Sequence, residues 1–304
     1  MRTIHFIINP EAGSGRQIDS LLAGITDLFQ HERYHLRIHR TEYPGHAAEI
    51  AEIAAAELPD CIIACGGDGT VNEVASAIIG TDITFGIIPV GSGNGFAATL
   101  NIPMDVRQAL LTIREGIVRR VDYGMINGRC FFNNAGLSFD AEAIRIYEQK
   151  KMKGLFGYAK ACVYALFSYR PSFAMVEAGG HQYDILPFLL VISNSSQMGY
   201  NKSLSPNADP ADGNLDLLMV PELKWHKKLY LGYLIWAGKI SKFNKADILR
   251  SADFKIEFPE KIFTMGQVDG ESRYFKTNEF VVCTVVAGLP VFVPRIPELG
   301  KASR

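Results

Sequence analysis

Apolar positions in the first third of the chain alternate between two periods. Short apolar runs at residues 3–8, 34–39, 62–65 and 85–88 fit strands, whereas apolar residues three and four apart at 18–29, 46–57 and 70–79 fit helices. Such alternation predicts a parallel sheet covered by helices on both faces, with ligands gathering at the carboxyl ends of the strands. After Tyr123 the texture changes. Runs rich in β-branched and aromatic residues at 129–133, 173–178, 183–193, 215–220, 254–258 and 280–286 predict a largely antiparallel, sandwich-like β domain. Helical stretches interrupt it at 141–170, with a break near Gly154, and at 225–239. The expected organisation is an α/β domain over residues 1–123 and a β-rich domain over 124–304, whose last residues are free to pack back on the first. No Pro/Gly-rich linker separates them, so the two are expected to touch and form a cleft.

Composition narrows the setting. With 48% hydrophobic and 21% charged residues the chain has the make-up of a soluble globular protein. A net charge of −1 gives no global attraction to nucleic acid, which is excluded as a partner, or to anionic membranes. Residues 1–10 carry one arginine and a short apolar run, which fits a first strand and not a secretory signal. No run of apolar residues is long enough to span a membrane. The five cysteines are scattered, and Cys61 and Cys65 fall on an expected buried strand, so they are expected to be reduced thiols in cytosol. In that compartment the N-x-S triplets at Asn194 and Asn201 carry no glycosylation.

The candidate chemistry begins at Gly66-Gly67-Asp68-Gly69-Thr70, between an apolar strand and a helix. Glycines let backbone N–H groups approach an anion, and the helix that follows points its positive end at the same place. An aspartate there suits a cation between carboxylate and phosphate, which suggests a nucleotide with magnesium and phosphoryl transfer. Three further loops end strands: Asn9-Pro10-Glu11-Ala12-Gly13-Ser14-Gly15, Thr41-Glu42-Tyr43-Pro44-Gly45-His46, and Val90-Gly91-Ser92-Gly93-Asn94-Gly95. Far downstream stands Val268-Asp269-Gly270-Glu271, which by itself fits a hairpin with D-G at its tip. His31-Glu32-Arg33-Tyr34-His35 matches a zinc-protease pattern but straddles an expected helix end and strand start, so its two rings diverge and a zinc site is rejected. No G-x-S-x-G nucleophile motif occurs.

In combination these segments resemble the diacylglycerol kinase catalytic-domain family, which includes bacterial lipid kinases, sphingosine kinases and ceramide kinases. The resemblance runs from Asn9 to Glu271. It implies an α/β nucleotide domain, a β-sandwich-like lipid domain, an active site in the cleft, and ATP with Mg2+ as cofactors. By position, Asn9, Pro10, Gly13, Thr41, Gly66, Gly67, Gly69, Thr70, Asn72, Glu73, Ser92 and Asn94 would contact ATP. Asp68 would organise magnesium at the phosphates, and Glu271 would be the general base, ionised at pH 7 as an ordinary glutamate is. A second, structural magnesium is implied at Asp209, Asp212 and Asn214, a segment that by itself is an Asx-type turn. Asp140 stands where sphingosine kinases contact the polar head of their substrate, and by itself is a helix N-cap. Gly95 stands where bacterial diacylglycerol kinases commonly carry Asp, which leaves the acceptor lipid open.

Met152, Leu155, Phe156, Ala159, Val163, Leu166 and Phe167 lie on one helical face behind Lys150, Lys151 and Lys153. Core packing explains such a face, and so does contact with anionic lipid. The expectation is a cytoplasmic lipid kinase, peripheral at the inner face of the membrane, acting on a diacylglycerol- or sphingoid-like lipid and compatible with a homodimer. The competing readings are a soluble small-molecule kinase resembling NAD kinase, which shares the G-G-D-G-T turn, and a non-enzymatic binder of lipid or nucleotide.

Overall fold

The structure is a computed structural model that describes residues 1–29, 33–199, 202–262 and 264–295. Residues His31 and Glu32 of the rejected zinc pattern, and Asn201, lie outside them. The chain divides into two units, residues 1–120 with 289–304, and residues 121–288.

The first unit runs β1 (Arg2–Ile8), α1 (Gly15–Phe29), β2 (Tyr34–Arg40), α2 (His46–Ala56), β3 (Cys61–Gly66), α3 (Asp68–Ile78), β4 (Thr84–Pro89), α4 (Gly95–Thr99) and α5 (Val106–Glu115). The strands are parallel in the order β2-β1-β3-β4. β1 and β3, the two strands at the change in winding direction, are therefore neighbours, and such sheets leave a crevice there at the carboxyl ends. β3 is buried along its whole length, as a central parallel strand must be. Free Cys61 and Cys65 sit in it, and burial pushes the Cys61 thiol up to about 12 and raises Cys65 further.

The chain continues with β5 (Ile117–Ile126), whose first four residues still belong to the first unit, and the second unit then runs β6 (Arg129–Phe131), β7 (Asn134–Gly136), α6 (Phe139–Gln149), α7 (Gly154–Ser168), β8 (Ala174–Ala178), β9 (His181–Ile185), β10 (Pro187–Ser193), β11 (Leu215–Pro221), α8 (Trp225–Trp236), β12 (Asp247–Ser251), β13 (Asp253–Glu257), β14 (Thr264–Val268), β15 (Glu271–Phe275) and β16 (Glu279–Val293). One antiparallel sheet has the order β12-β11-β10-β7-β14-β15. The other places β13 between β8 and the first half of β16, with β9 beyond β8. The last residues of β16 belong to the first unit, where Val291 pairs with Phe85 in parallel.

Leu190, Ile192, Leu215 and Leu217 from one sheet meet Val176, Phe254, Ile256 and Val282 from the other, which makes a sandwich core. The opposite face of the first sheet, through Leu189, Val191, Leu218 and Val220, packs on α8 and on Leu166 of α7.

Two sequence expectations are corrected here. The single strand expected over 183–193 is two, because the chain leaves one sheet at Ile185 and enters the other at Pro187, which has no N–H for a continuous ladder. The expected apolar face over 152–167 is only partly packed, through Met152 and Leu166. Ala161 and Ala165 are buried, while Phe156, Val163 and Phe167 are exposed.

Candidate active site

The four candidate loops, at 9–15, 41–46, 66–70 and 90–95, leave the carboxyl ends of the parallel strands β1 to β4. α3 begins at Asp68, two residues before the expected start, so Asp68 lies in its first turn, where the helix dipole favours negative charge. Gly66 accepts from the N–H groups of Val90 and Gly91 at 3.1 and 3.2 Å, which ties the turn after β4 to the turn after β3. The approach is so close that a Cβ on Gly91 would lie 2.3 Å from Gly67 Cα, and one on Gly66 would lie 2.4 Å from Thr70 Cβ. These glycines are therefore required by backbone packing.

Around this contact the other loops are pinned. Asn9 Nδ2 donates to Thr70 Oγ1 at 3.1 Å. A Cβ on Gly13 would meet the Val90 carbonyl at 3.1 Å, which puts the loop after β1 beside the loop after β4. Thr41 N–H donates to Ile8 O at 2.9 Å. Asp68 Oδ1 stands 3.4 Å from Phe96 N at the start of α4. Asn94 is left-handed at φ 55°, donates from Nδ2 to Gly91 O, and leaves its Oδ1 buried without a hydrogen-bond partner. An orphaned acceptor beside a glycine cradle fits a bound group with donors, and the cradle itself fits a phosphate.

Glu73 has a definite structural role. Its two carboxylate oxygens accept from Gly45 N–H and Ala47 N–H at 2.9 and 3.1 Å, so α3 caps the start of α2. Gly45, at φ 89°, supplies the left-handed turn that aims those groups at Glu73. Asn72 Oδ1 accepts from Ser76 Oγ along α3. Pro10 and Ser92 lie on the loops after β1 and β4, and Gly69 lies in the first turn of α3.

In the second unit, Val268-Asp269-Gly270-Glu271 is the hairpin between β14 and β15, with positive φ at Asp269 and Gly270 as a two-residue I′ turn requires. The hairpin reading and the candidate base thus coincide. Asp269 was absent from the sequence candidates, yet its buried carboxylate accepts from the N–H groups of Phe132, Asn133 and Asn134 at 2.8, 2.7 and 3.0 Å. Gln267 Oε1 accepts from Gly270 N–H, and its Nε2 donates to Asn134 Oδ1 and Asp140 Oδ2. Glu148 on α6 accepts from the Ser272 amide at 2.9 Å and from its hydroxyl. Glu271, the first residue of β15, ion-pairs with Arg273. The candidate base therefore projects from a turn fixed on both sides, largely by contacts more than a hundred residues apart.

Asp140 is not the N-cap. It lies inside the first turn of α6, with Ser138 in the flanking position. Its buried carboxyl accepts from Ser138 Oγ at 2.7 Å, and that hydroxyl accepts from Leu190 N–H. Burial pushes its pKa up, opposed by the hydrogen bonds from Ser138 and Gln267.

The loop at 209–216 is organised by two side chains. Asp122 accepts from Gly213 N–H and Ala287 N–H, and its own N–H donates to Pro210 O. Arg250 on β12 faces Asp216 across the ladder, bonds it at 2.8 Å, and lies 3.5 Å from Asp212 Oδ2. Asp216 first, then Asp212 and Asp209, raise the Arg250 pKa. Asp212 Oδ1 is taken by Asn214 N–H, and Asn214 Nδ2 by the Asp212 carbonyl. With the Arg250 guanidinium already 3.5 Å from Asp212 Oδ2, the Asp212 carboxylate fits a divalent cation poorly. Asn194, of the first N-x-S triplet, is wholly buried and donates to Asp122 O and Phe132 O.

Comparison with known proteins agrees with this architecture. A family profile described as "Diacylglycerol kinase catalytic domain" matches residues 3–126, and one described as "YegS C-terminal NAD kinase beta sandwich-like domain" matches residues 134–282. The chain is 31% identical to a Bacillus subtilis diacylglycerol kinase over 92% of this chain and 93% of that protein. It is 33% identical to a Staphylococcus aureus diacylglycerol kinase over 70% of this chain and 69% of that protein. A crystal structure of a diacylglycerol kinase from Bacillus anthracis shares the fold, with a TM-score of 0.72 at 23% identity over 96% of this chain and 97% of that one. Both halves of the chain and the curated relatives agree, and the chain belongs to the diacylglycerol kinase family of lipid kinases.

Proposed function

We propose that this protein transfers the γ-phosphate of ATP, with Mg2+, to a hydroxyl of a membrane lipid of diacylglycerol or sphingoid type. The observation that carries the reading is the meeting of the Gly66–Thr70 and Val90–Gly95 turns, backbone against backbone, at the carboxyl ends of β3 and β4. Amides of these turns and the start of α3 cradle the phosphates, and Asn9, Thr41 and Asn94 border the same crevice. Phosphoryl transfer has a loose transition state, so positioning and charge neutralisation lower most of its barrier. Magnesium, when bound, neutralises triphosphate charge, and Asp68 is the carboxylate that would hold it. Glu271 orients the acceptor hydroxyl and takes its proton late. Asp140, satisfied within its own network, serves the turn that carries Glu271.

A lipid acceptor must be met where it lies. At about 0.8 kcal/mol per CH2, pulling a sixteen-carbon chain into water costs roughly 12 kcal/mol. The enzyme therefore works at a bilayer surface or offers the chain an apolar cleft. The test is incubation with labelled ATP and a total lipid extract, with the product identified by mass, and with NAD as the soluble competitor. Labelled lipid with the parent chain, and none with Asp68→Ala or Glu271→Gln, is the expected result. Label on NAD alone, or full turnover by both variants, would overturn the assignment.

A further inference from the structure

Residues 150–170 and 223–246, which contain α7 and α8, hold eleven of the chain's 31 Lys and Arg and none of its 32 Asp and Glu. A net charge of −1 conceals that concentration. The two helices share one layer, since Leu166 of α7 and Leu231 and Leu234 of α8 pack into the same cluster on one sheet face. Their outward sides are apolar: Phe156 and Phe167 on α7, and Trp225, Leu229, Tyr233 and Trp236 on α8, are between 52% and 89% exposed. Ammonium groups lie over this aromatic surface, Lys202 4.7 Å from the Trp236 ring and Lys150 4.9 Å from Tyr164, while Lys228 is held by Glu222.

We propose that the outward faces of α7 and α8 dock this protein on an anionic lipid bilayer, with Trp225 and Trp236 at the headgroup layer and the surrounding lysines on lipid phosphates. Aromatic rings with a polar edge favour that layer, and apolar residues among cations suit a helix lying in the interface plane. No helix among the described residues is long and apolar enough to cross the bilayer. A two-fold contact with a second copy would set this cationic face against itself, which costs energy. The choice of a bilayer over other anionic partners rests on the lipid-kinase reading.

Trp225 and Trp236 are the chain's two tryptophans, so all indole emission reports on α8. The full chain, without nucleotide, is titrated with vesicles of equal parts phosphatidylglycerol and phosphatidylcholine, and with pure phosphatidylcholine. The expected result is a blue shift and co-sedimentation with the anionic vesicles, both reversed by high salt. Each surface lysine contributes about fivefold in affinity, so Lys239→Gln, Lys242→Gln and Lys245→Gln together lower it on the order of a hundredfold. Phe156→Ser with Phe167→Ser is the independent apolar variant, and unchanged far-UV circular dichroism checks folding in both. Absence of the shift with the parent chain, parental binding by both variants, or a solution dimer that the variants dissolve would overturn the proposal. Because binding is read without turnover, docking without lipid phosphorylation sinks the kinase assignment alone, and phosphorylation of detergent-dispersed lipid without vesicle binding sinks the docking surface alone.

Discussion

Asp269→Asn isolates the clamp that fixes the candidate base. The side chain is 7% exposed, its Oδ1 takes the amides of Asn133 and Asn134, and its Oδ2 takes that of Phe132. Asparagine has the same shape and tolerates the φ of 47° found here at least as well as aspartate, so backbone strain drops out of the comparison. It offers one acceptor oxygen. Whichever way the amide turns, at least one buried N–H then faces an NH2 group and a charge-assisted bond is lost. A lost bond of this kind with an unsatisfied donor costs about 2–3 kcal/mol. That is a large part of a typical folding free energy of about 5–15 kcal/mol, but the chain still folds. Urea denaturation followed by circular dichroism should show the loss. Steady-state kinetics at low temperature should show kcat down at least about tenfold, because a small displacement of Glu271 misaligns the acceptor. Nucleotide affinity should stay parental, since all three amides lie in residues 121–288. A variant as stable as the parent would refute the energetic argument, and a destabilised variant with parental kcat would refute the positioning one.

Glu73→Gln keeps one acceptor for the two amides of Gly45 and Ala47, so the loop after β2 loosens by about 1–2 kcal/mol and ATP binding weakens up to about tenfold by calorimetry; unchanged affinity would show that this loop does not bear on the nucleotide. Arg250→Met leaves Asp212 and Asp216 without their counter-charge, so the thermal midpoint falls and becomes sensitive to added Mg2+, whereas the parent's does not respond to Mg2+ or chelator. A parental midpoint that drops on chelation would show that a metal organises this loop. Asp140 holds its proton more tightly when folded than when unfolded, so its contribution is full below the unfolded value of 3.8 and is lost as pH rises through the folded value. Asp140→Asn removes that titration, and denaturation at a series of pH values should give a shallower decline from acid toward neutral pH; parallel profiles would contradict the buried carboxyl.

Much of the first unit was legible because its determinants are local. A strand buried on both faces must be apolar throughout, a turn that brings two backbones together must contain glycine, and both leave marks within a few adjacent positions, as at Cys61–Gly66 and Gly67–Thr70. The break of the long helix near Gly154 was visible for the same reason, with that residue at φ 66°. What the pattern alone could not decide was which apolar stripe of α7 packs inward, because partners on other elements choose the face, and they chose the alanines. Nor could it reveal the use of Asp269, Glu73 or Arg250, whose partners are distant in sequence. The order of residues set the turns, the strands and the chemistry on offer. Tertiary folding decided which carboxylates hold backbone amides, because a hydrogen bond depends on separation in space and leaves no period along the chain.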